Sequence, residues 1–354
     1  MTARRSAELD VVRAVALIGV CVMNDHGYIN GAAMPNTTVL ERLFHPWTGP
    51  LATRFAATFV VVAGIGVELL ARSRDVAETR WVLVRRGVLL LGFGYVLDAS
   101  WPGTILFFYG GYFCVAALLV GLRTRWIVTV GAGTAVAAAA LQWWQLERGG
   151  LEGVLSGAMT SGRAWDDVLA DLTLRGTHPL LPWLAFLCAG IVIGRAWPLR
   201  TDRAVLVAFG GVLVALVGAG MGSVLPGDSW LWETVPASRS LAYTASAGGV
   251  AVAALVTIVA LARRTATSRP TRALAIAGRT TLSLYVLHVI VFEIVVDTFG
   301  IVDRGAGLGA VLWFAGSFWL GAMGLAVAWS RVMPIGPLEW VYRRFSDTRP
   351  VAAR

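Results

Sequence analysis

Apolar runs long enough to cross a bilayer follow one another from residue 9 to residue 330, with little chain between them. About 20 consecutive apolar residues span the hydrocarbon core as a helix. No water is available there, so the backbone must hydrogen-bond to itself. Ten runs meet the requirement: 9–28, 51–71, 84–100, 104–122, 126–145, 179–196, 204–225, 239–262, 280–297 and 307–330. The expected fold is all-α and polytopic, with a transmembrane helical domain over 1–335 and a short cytoplasmic amphipathic tail over 336–354. Charged residues make up 14% of the chain, against about 25% in soluble domains. That excludes a soluble protein carrying one anchor.

The basic residues set the orientation. All 30 are arginine, which rules out a lysine nucleophile or Schiff base. With the N-terminus in the cytoplasm, 23 arginines fall on that side and seven on the other. Arginine and lysine favour cytoplasmic loops, so the split predicts that both termini of this multi-pass protein are cytoplasmic. It also accounts for the net charge of +9 without a nucleic-acid partner. The opening "MTARRSAELDVVRAVALIGVCVMN" lacks a small-residue cleavage site and reads as a retained first helix. Cys21, Cys114 and Cys188 lie within apolar runs, where free cysteines behave as small hydrophobes. No metal-ligand spacing is present, so no metal is expected. The outer loop 146–178 is expected to carry a short surface helix with Trp165, Val168, Leu169 and Leu172 on one side.

Ionisable groups inside a membrane are costly and face the bundle interior or a water-filled cavity. Here they are few. Arg13 lies a turn inside the first run, and Asn24, Asp25 and His26 end it. His45, in "LFHPWTG", precedes the second; Arg54 and Glu68 lie within it. Asp98 closes the third, His178 opens the sixth, and His288 sits in the middle of the ninth with Glu293 beyond it. Histidine titrates near neutrality and suits proton transfer. By the topology His26, His45 and His178 share the outer level of the membrane. Each has a plain alternative: a solvated or capping residue for His26, His45 and His178, and a polar packing cluster with Ser283 and Tyr285 for His288. Arg13, Arg85 and Arg86 are either positive-inside charge or a site for the phosphates of a cytosolic donor, which a guanidinium fork binds well.

Four segments together carry a family likeness. "ELDVVRAVALIGVCVMN", "THPLLPWLAFLCAGIVIGR", "GRTTLSLYVLHVI" and "GPLEWVYRR" resemble, in order and spacing, segments of the heparan-α-glucosaminide N-acetyltransferase-like transmembrane acyltransferases and their bacterial relatives. The resemblance spans nearly the whole chain. It implies transfer of an acyl group from cytosolic acetyl-CoA or another acyl-CoA to an amino sugar or glycan-type acceptor across the membrane. It also places the active histidine before the second core helix, beside a tryptophan, which here is His45 with Trp47. The chain departs from the pattern in having Trp47-Thr48-Gly49 where Trp-Asn-Gly is usual, Thr53 and Arg54 where an acidic residue is common, and Ala14 after Arg13.

The resulting expectation is an acyltransferase with His45, Asp25, His26 and His288 in the chemistry. Asn24, Trp47, His178, Trp183 and Tyr285 would stand at the acceptor, and Arg13, Arg85 and Arg86 at the donor phosphates. Its partners are membrane lipid, acyl-CoA and a sugar acceptor, and the chain is compatible with a homodimer. The competing expectation is a proton-coupled transporter or flippase using Glu68, Glu293 and Asp98; no internal repeat supports it.

Overall fold

The computed structural model describes residues 6–31, 34, 36–157, 165–224 and 229–347. These are helical, with no strand among the described residues. The elements are α1 (Ala7–Asn30), α2 (Val39–Leu43), α3 (Arg54–Ala71), α4 (Val76–Leu97), α5 (Ile105–Leu119), α6 (Thr124–Gly157) and α7 (Trp165–Ala170). They continue as α8 (Leu180–Arg195), α9 (Thr201–Val224), α10 (Leu241–Arg264), α11 (Arg269–Ala277), α12 (Thr281–Phe292), α13 (Gly307–Trp329) and α14 (Pro337–Ser346). Six helices among the described residues are long and apolar enough to cross a membrane, seven if the pair Asp166–Arg175 and Leu180–Arg195, bent by 53°, forms one span. Each of the ten apolar runs coincides with a helix, and the chain is a helical, multi-pass membrane protein.

The ends of the helices differ most from the apolar runs, because polar caps extend helices beyond them. α4 starts eight residues before its run. Asp75 accepts the Glu78 N–H at 2.8 Å, and Arg74 pairs with Glu78 at 2.8 Å, so the first two turns form on polar contacts. The expected surface helix begins at Trp165 and continues as a π-helical turn over Asp171–Arg175. The part of that loop over 158–164 lies outside the described residues.

The chain divides into two compact units: the described residues of Arg4–Phe59 with Val250–Val341, and Val60–Gly249 with the described residues from Tyr342 onward. In the second unit α4 packs on α5 and α6 on α8. There α3 and α8 cross at backbone contact, because Gly64 and Gly190 meet. A Cβ on Gly190 would lie 2.0 Å from the Val61 carbonyl oxygen, and one on Gly64 would lie 2.2 Å from that of Leu187. Small residues permit this approach between membrane helices.

In the first unit α1 packs against α11, α12 and α13. Its acidic first turn, Glu8 and Asp10, suits the positive end of the helix. Its last carbonyls are taken by the loop before α13: Arg304 donates to the Tyr28 oxygen at 2.7 Å, and the Gly305 N–H donates to the Ile29 oxygen at 2.7 Å. The Gly307 N–H donates to Asn30 Oδ1 at 2.7 Å. The end of α1 that carries Asn24, Asp25 and His26 is therefore fixed.

α14 forms as the amphipathic helix expected in the tail, with Trp340, Val341 and Phe345 exposed and Arg343 and Arg344 in its last turn. Glu339 reaches the N-terminus of α12. Its carboxylate accepts from the Leu282 N–H at 2.6 Å, the Ser283 N–H at 3.3 Å and the Ser283 hydroxyl at 2.5 Å. These bonds satisfy amide groups that the first turn of a helix leaves unpaired.

Candidate functional site

α1 presents Cys21 and Asp25 one turn apart on the same face, and α12 brings His288 against that face. Asp25 Oδ1 and His288 Nε2 are 2.7 Å apart, and both side chains are fully buried. His288 also contacts the Cys21 thiol. An apolar and aromatic shell encloses the group: the Phe318 ring lies 5.4 Å from that of His288, and the Tyr285 ring 6.5 Å from it. The second carboxylate oxygen, Asp25 Oδ2, is buried without a hydrogen-bond partner among the described residues. Burying such a group is unfavourable unless it is paired, so a cross-helix Asp–His pair with an unused oxygen is a costly feature to keep in a membrane interior.

The next residue on α1 faces the loop before α3. His26 Nδ1 lies 2.8 Å from the Phe44 carbonyl oxygen. A carbonyl can only accept, so Nδ1 carries a proton, and in the neutral form Nε2 keeps its lone pair. That Nε2 is also buried with no partner among the described residues. Phe44 directly precedes His45, and Pro46 and Trp47 each come within 3.7 Å of where a Cβ on Gly27 would stand. His26 and His45 are thus near neighbours.

A tight turn holds His45. The Gly49 N–H donates to the His45 carbonyl oxygen at 2.9 Å. A Cβ on Gly49 would come within 2.6 Å of the carbonyl oxygens of Arg42 and His45, so only glycine fits. His45 Nδ1 receives the Thr48 N–H at 3.2 Å and lies 2.9 Å from the Thr48 hydroxyl. Its proton in the neutral form is therefore on Nε2. Burial, aided by the nearby His26, moves the His45 pKa below the usual histidine range. The Trp47 ring meets the His45 ring edge-on at 5.8 Å. The turn ends at Thr53, with φ of 60°, a conformation uncommon for a β-branched residue and one that clusters at functional sites.

The other predicted residues divide between the units. Asn24 is half-buried on α1, and Tyr285 is buried on α12 beside His288. Arg13 pairs with the buried Asp10 at 2.7 Å, and Arg279 approaches the same carboxylate at 3.5 Å. Two guanidiniums sharing one carboxylate leave positive charge at that end of α1. In the other unit His178 packs against Trp183, with ring centroids 4.6 Å apart. Arg86 lies within 3.6 Å of Asp347 and stacks on Tyr342, while Arg85 lies over Trp81. Glu68 lies 3.5 Å from Arg195, and Asp98 accepts the Gly103 N–H at 2.7 Å, so both carry structural contacts. Glu293 opens the π-helical turn after α12. Cys21 is the contact that its reading as a small hydrophobe misses. Its spacing of four from Asp25 was the available signal.

Among the described residues, no group of three or more His, Cys, Asp or Glu side chains could hold a metal. The arrangement instead supplies one acid–histidine pair, one histidine lone pair and one histidine N–H at the same end of α1.

Known proteins give similarity but no activity. A family model described as "Protein of unknown function (DUF418)" matches residues 198–349, which include α12 with His288 and the tail with Glu339 but not α1. The chain is also similar along nearly its whole length to "Uncharacterized protein YeiB" of Escherichia coli (strain K12), with 26% identity over 390 residues, covering 97% of this chain and 96% of that protein.

Proposed function

We propose that the chain is a membrane-embedded acyltransferase of the heparan-α-glucosaminide N-acetyltransferase-like type. It would take an acetyl or longer acyl group from cytosolic acyl-CoA and place it on an amino sugar or glycan-type acceptor outside the bacterial cytoplasmic membrane. The arginine distribution supports ten spans with both termini in the cytoplasm. The observation that carries the reading is the gathering of Asp25, His26, His45 and His288 at one end of α1, where Asp25 Oδ2 and His26 Nε2 are buried without partners among the described residues, near a half-buried histidine and an exposed tryptophan. Buried polar atoms are usually paired, so Asp25 Oδ2 and His26 Nε2 leave hydrogen-bonding capacity that a visiting group could use.

Arg13 stands about 18 Å below Asp25 along α1, at 1.5 Å per residue. The charge shared by Arg13, Arg279 and Asp10 suits the phosphates of a donor whose extended arm rises beside the helix. The acceptor N–H or O–H attacks the thioester carbonyl, a histidine takes its proton, and the CoA thiolate leaves. Trp47 offers a ring face to a sugar. The test is acceptor-dependent release of free CoA by the purified protein given acetyl-CoA and a panel of amino sugars. Release above that of empty detergent micelles, lost when His26 and His45 are both replaced by alanine, is the expected result.

The buried Asp25–His288 pair also favours a second reading, proton-coupled transport. It would prevail if no acceptor elicits CoA release and vesicles containing the protein take up a solute in a proton-driven, Asp25-dependent way.

A further inference from the structure

In their neutral forms the two neighbouring histidines carry their protons on opposite nitrogens, and this divides the labour between them. We infer that His26, through its Nε2 lone pair, is the general base toward the acceptor, and that His45, through its Nε2–H, is the donor that steadies the developing oxyanion. The inference rests on the acyl-transfer reading and assigns its roles.

Two contacts decide the tautomers. The Phe44 carbonyl accepts from His26 Nδ1 at 2.8 Å, leaving a basic nitrogen that is buried and unpartnered among the described residues, on a ring oriented by that hydrogen bond. An oriented imidazole with one nitrogen committed and the other open is what base catalysis requires. The Thr48 N–H points at His45 Nδ1 at 3.2 Å, so the lone pair of His45 is occupied and its remaining nitrogen is a donor. Oxyanion stabilisation needs such a donor held in place before the reaction. Gly49 fixes the turn that holds it, and the half-buried position of His45, beside the exposed Trp47, leaves it open to an acceptor complex.

In the step itself the acceptor proton moves to His26 Nε2 as the acceptor heteroatom bonds to the acyl carbon. The carbonyl oxygen becomes negative and accepts from His45 Nε2–H. As the tetrahedral species collapses, the carbon–sulfur bond breaks, and the CoA thiolate recovers the proton from the His26 imidazolium. Charge and atoms balance with no further reactant.

The experiment has two arms, both on the full-length protein. With only four histidines in the chain, nitrogen-15 histidine NMR of the wild type in nanodiscs resolves each tautomer, and single variants assign the signals. His26 is expected with its proton on Nδ1 and His45 with its proton on Nε2. In the second arm acyl transfer from acetyl-CoA is measured for H26Q, H45Q and H45A. Glutamine places an amide N–H near the Nε2 position but has no basic nitrogen. H26Q should lose about 100-fold or more, the contribution of a general base. H45Q should retain most of the rate, and H45A should lose about 100-fold, as for a missing oxyanion donor. Reversed tautomers, or an active H26Q beside an inactive H45Q, overturn the division of labour while leaving acyl transfer intact. A wild type that releases no CoA with any acceptor overturns the acyl-transfer reading, and the assignment falls with it.

Discussion

Replacing Asp25 with leucine while keeping His288 is expected to destabilise the protein by about 3–5 kcal/mol, the scale of loss when one partner of a buried, hydrogen-bonded acid–base pair is left alone. His288→Leu should cost a similar amount. The pair lies 2.7 Å apart with both side chains fully buried, so neither group can turn to water when the other is removed. The double variant D25L/H288L should recover most of the loss, because apolar groups replace a buried polar pair at little net cost. A double-mutant cycle read from unfolding in detergent gives the coupling directly. Ordinary polar contacts between membrane helices couple by only about 0.6 kcal/mol. Single losses of that size would make Asp25–His288 a packing contact of no special standing.

The second large effect lies in the other unit. Gly190→Val is expected to cost at least about 4 kcal/mol, because the crossing of α3 and α8 has no room for a side chain. The contact is backbone against backbone, with a Cβ on Gly190 falling 2.0 Å from the Val61 carbonyl oxygen and 3.0 Å from the Gly64 Cα. No rotamer change relieves it; the helices must separate. Gly133→Ala is the control, since nothing lies within 4 Å of a Cβ there. It should be neutral or slightly stabilising, by up to about 1 kcal/mol of helix propensity. Folded, monodisperse yield and thermal unfolding of the two variants separate the outcomes; a G190V protein as stable as wild type would remove the close crossing from the account.

The helices were legible because span length and apolarity are local properties. Every apolar run found its helix, and the errors fell at ends such as that of α4, where Asp75 and Glu78 extend a helix that hydropathy alone starts late. The tail helix was legible too, since it starts at Pro337 and mixes the apolar Trp340 with the basic Arg343 and Arg344. Partnerships were not. Asp25 and His288 stand 263 positions apart, and no local pattern pairs them. The sequence grouped His26, His45 and His178 by their depth in the membrane. In the structure His26 adjoins the His45 turn, whereas His178 is engaged with Trp183 and Phe108. Tautomers were beyond sequence altogether, because they depend on single contacts to the Phe44 carbonyl and the Thr48 N–H.

The central claim is that one chain passes an acyl group from a donor on one side of the membrane to an acceptor on the other. Proteoliposomes with labelled acetyl-CoA sealed at the proposed donor face, and an amino sugar at the opposite face, test it most directly. The account predicts label in the external sugar, dependent on His26 and absent from protein-free vesicles. Label that stays with the donor for every acceptor tried, from protein shown to be folded and correctly oriented, would contradict it.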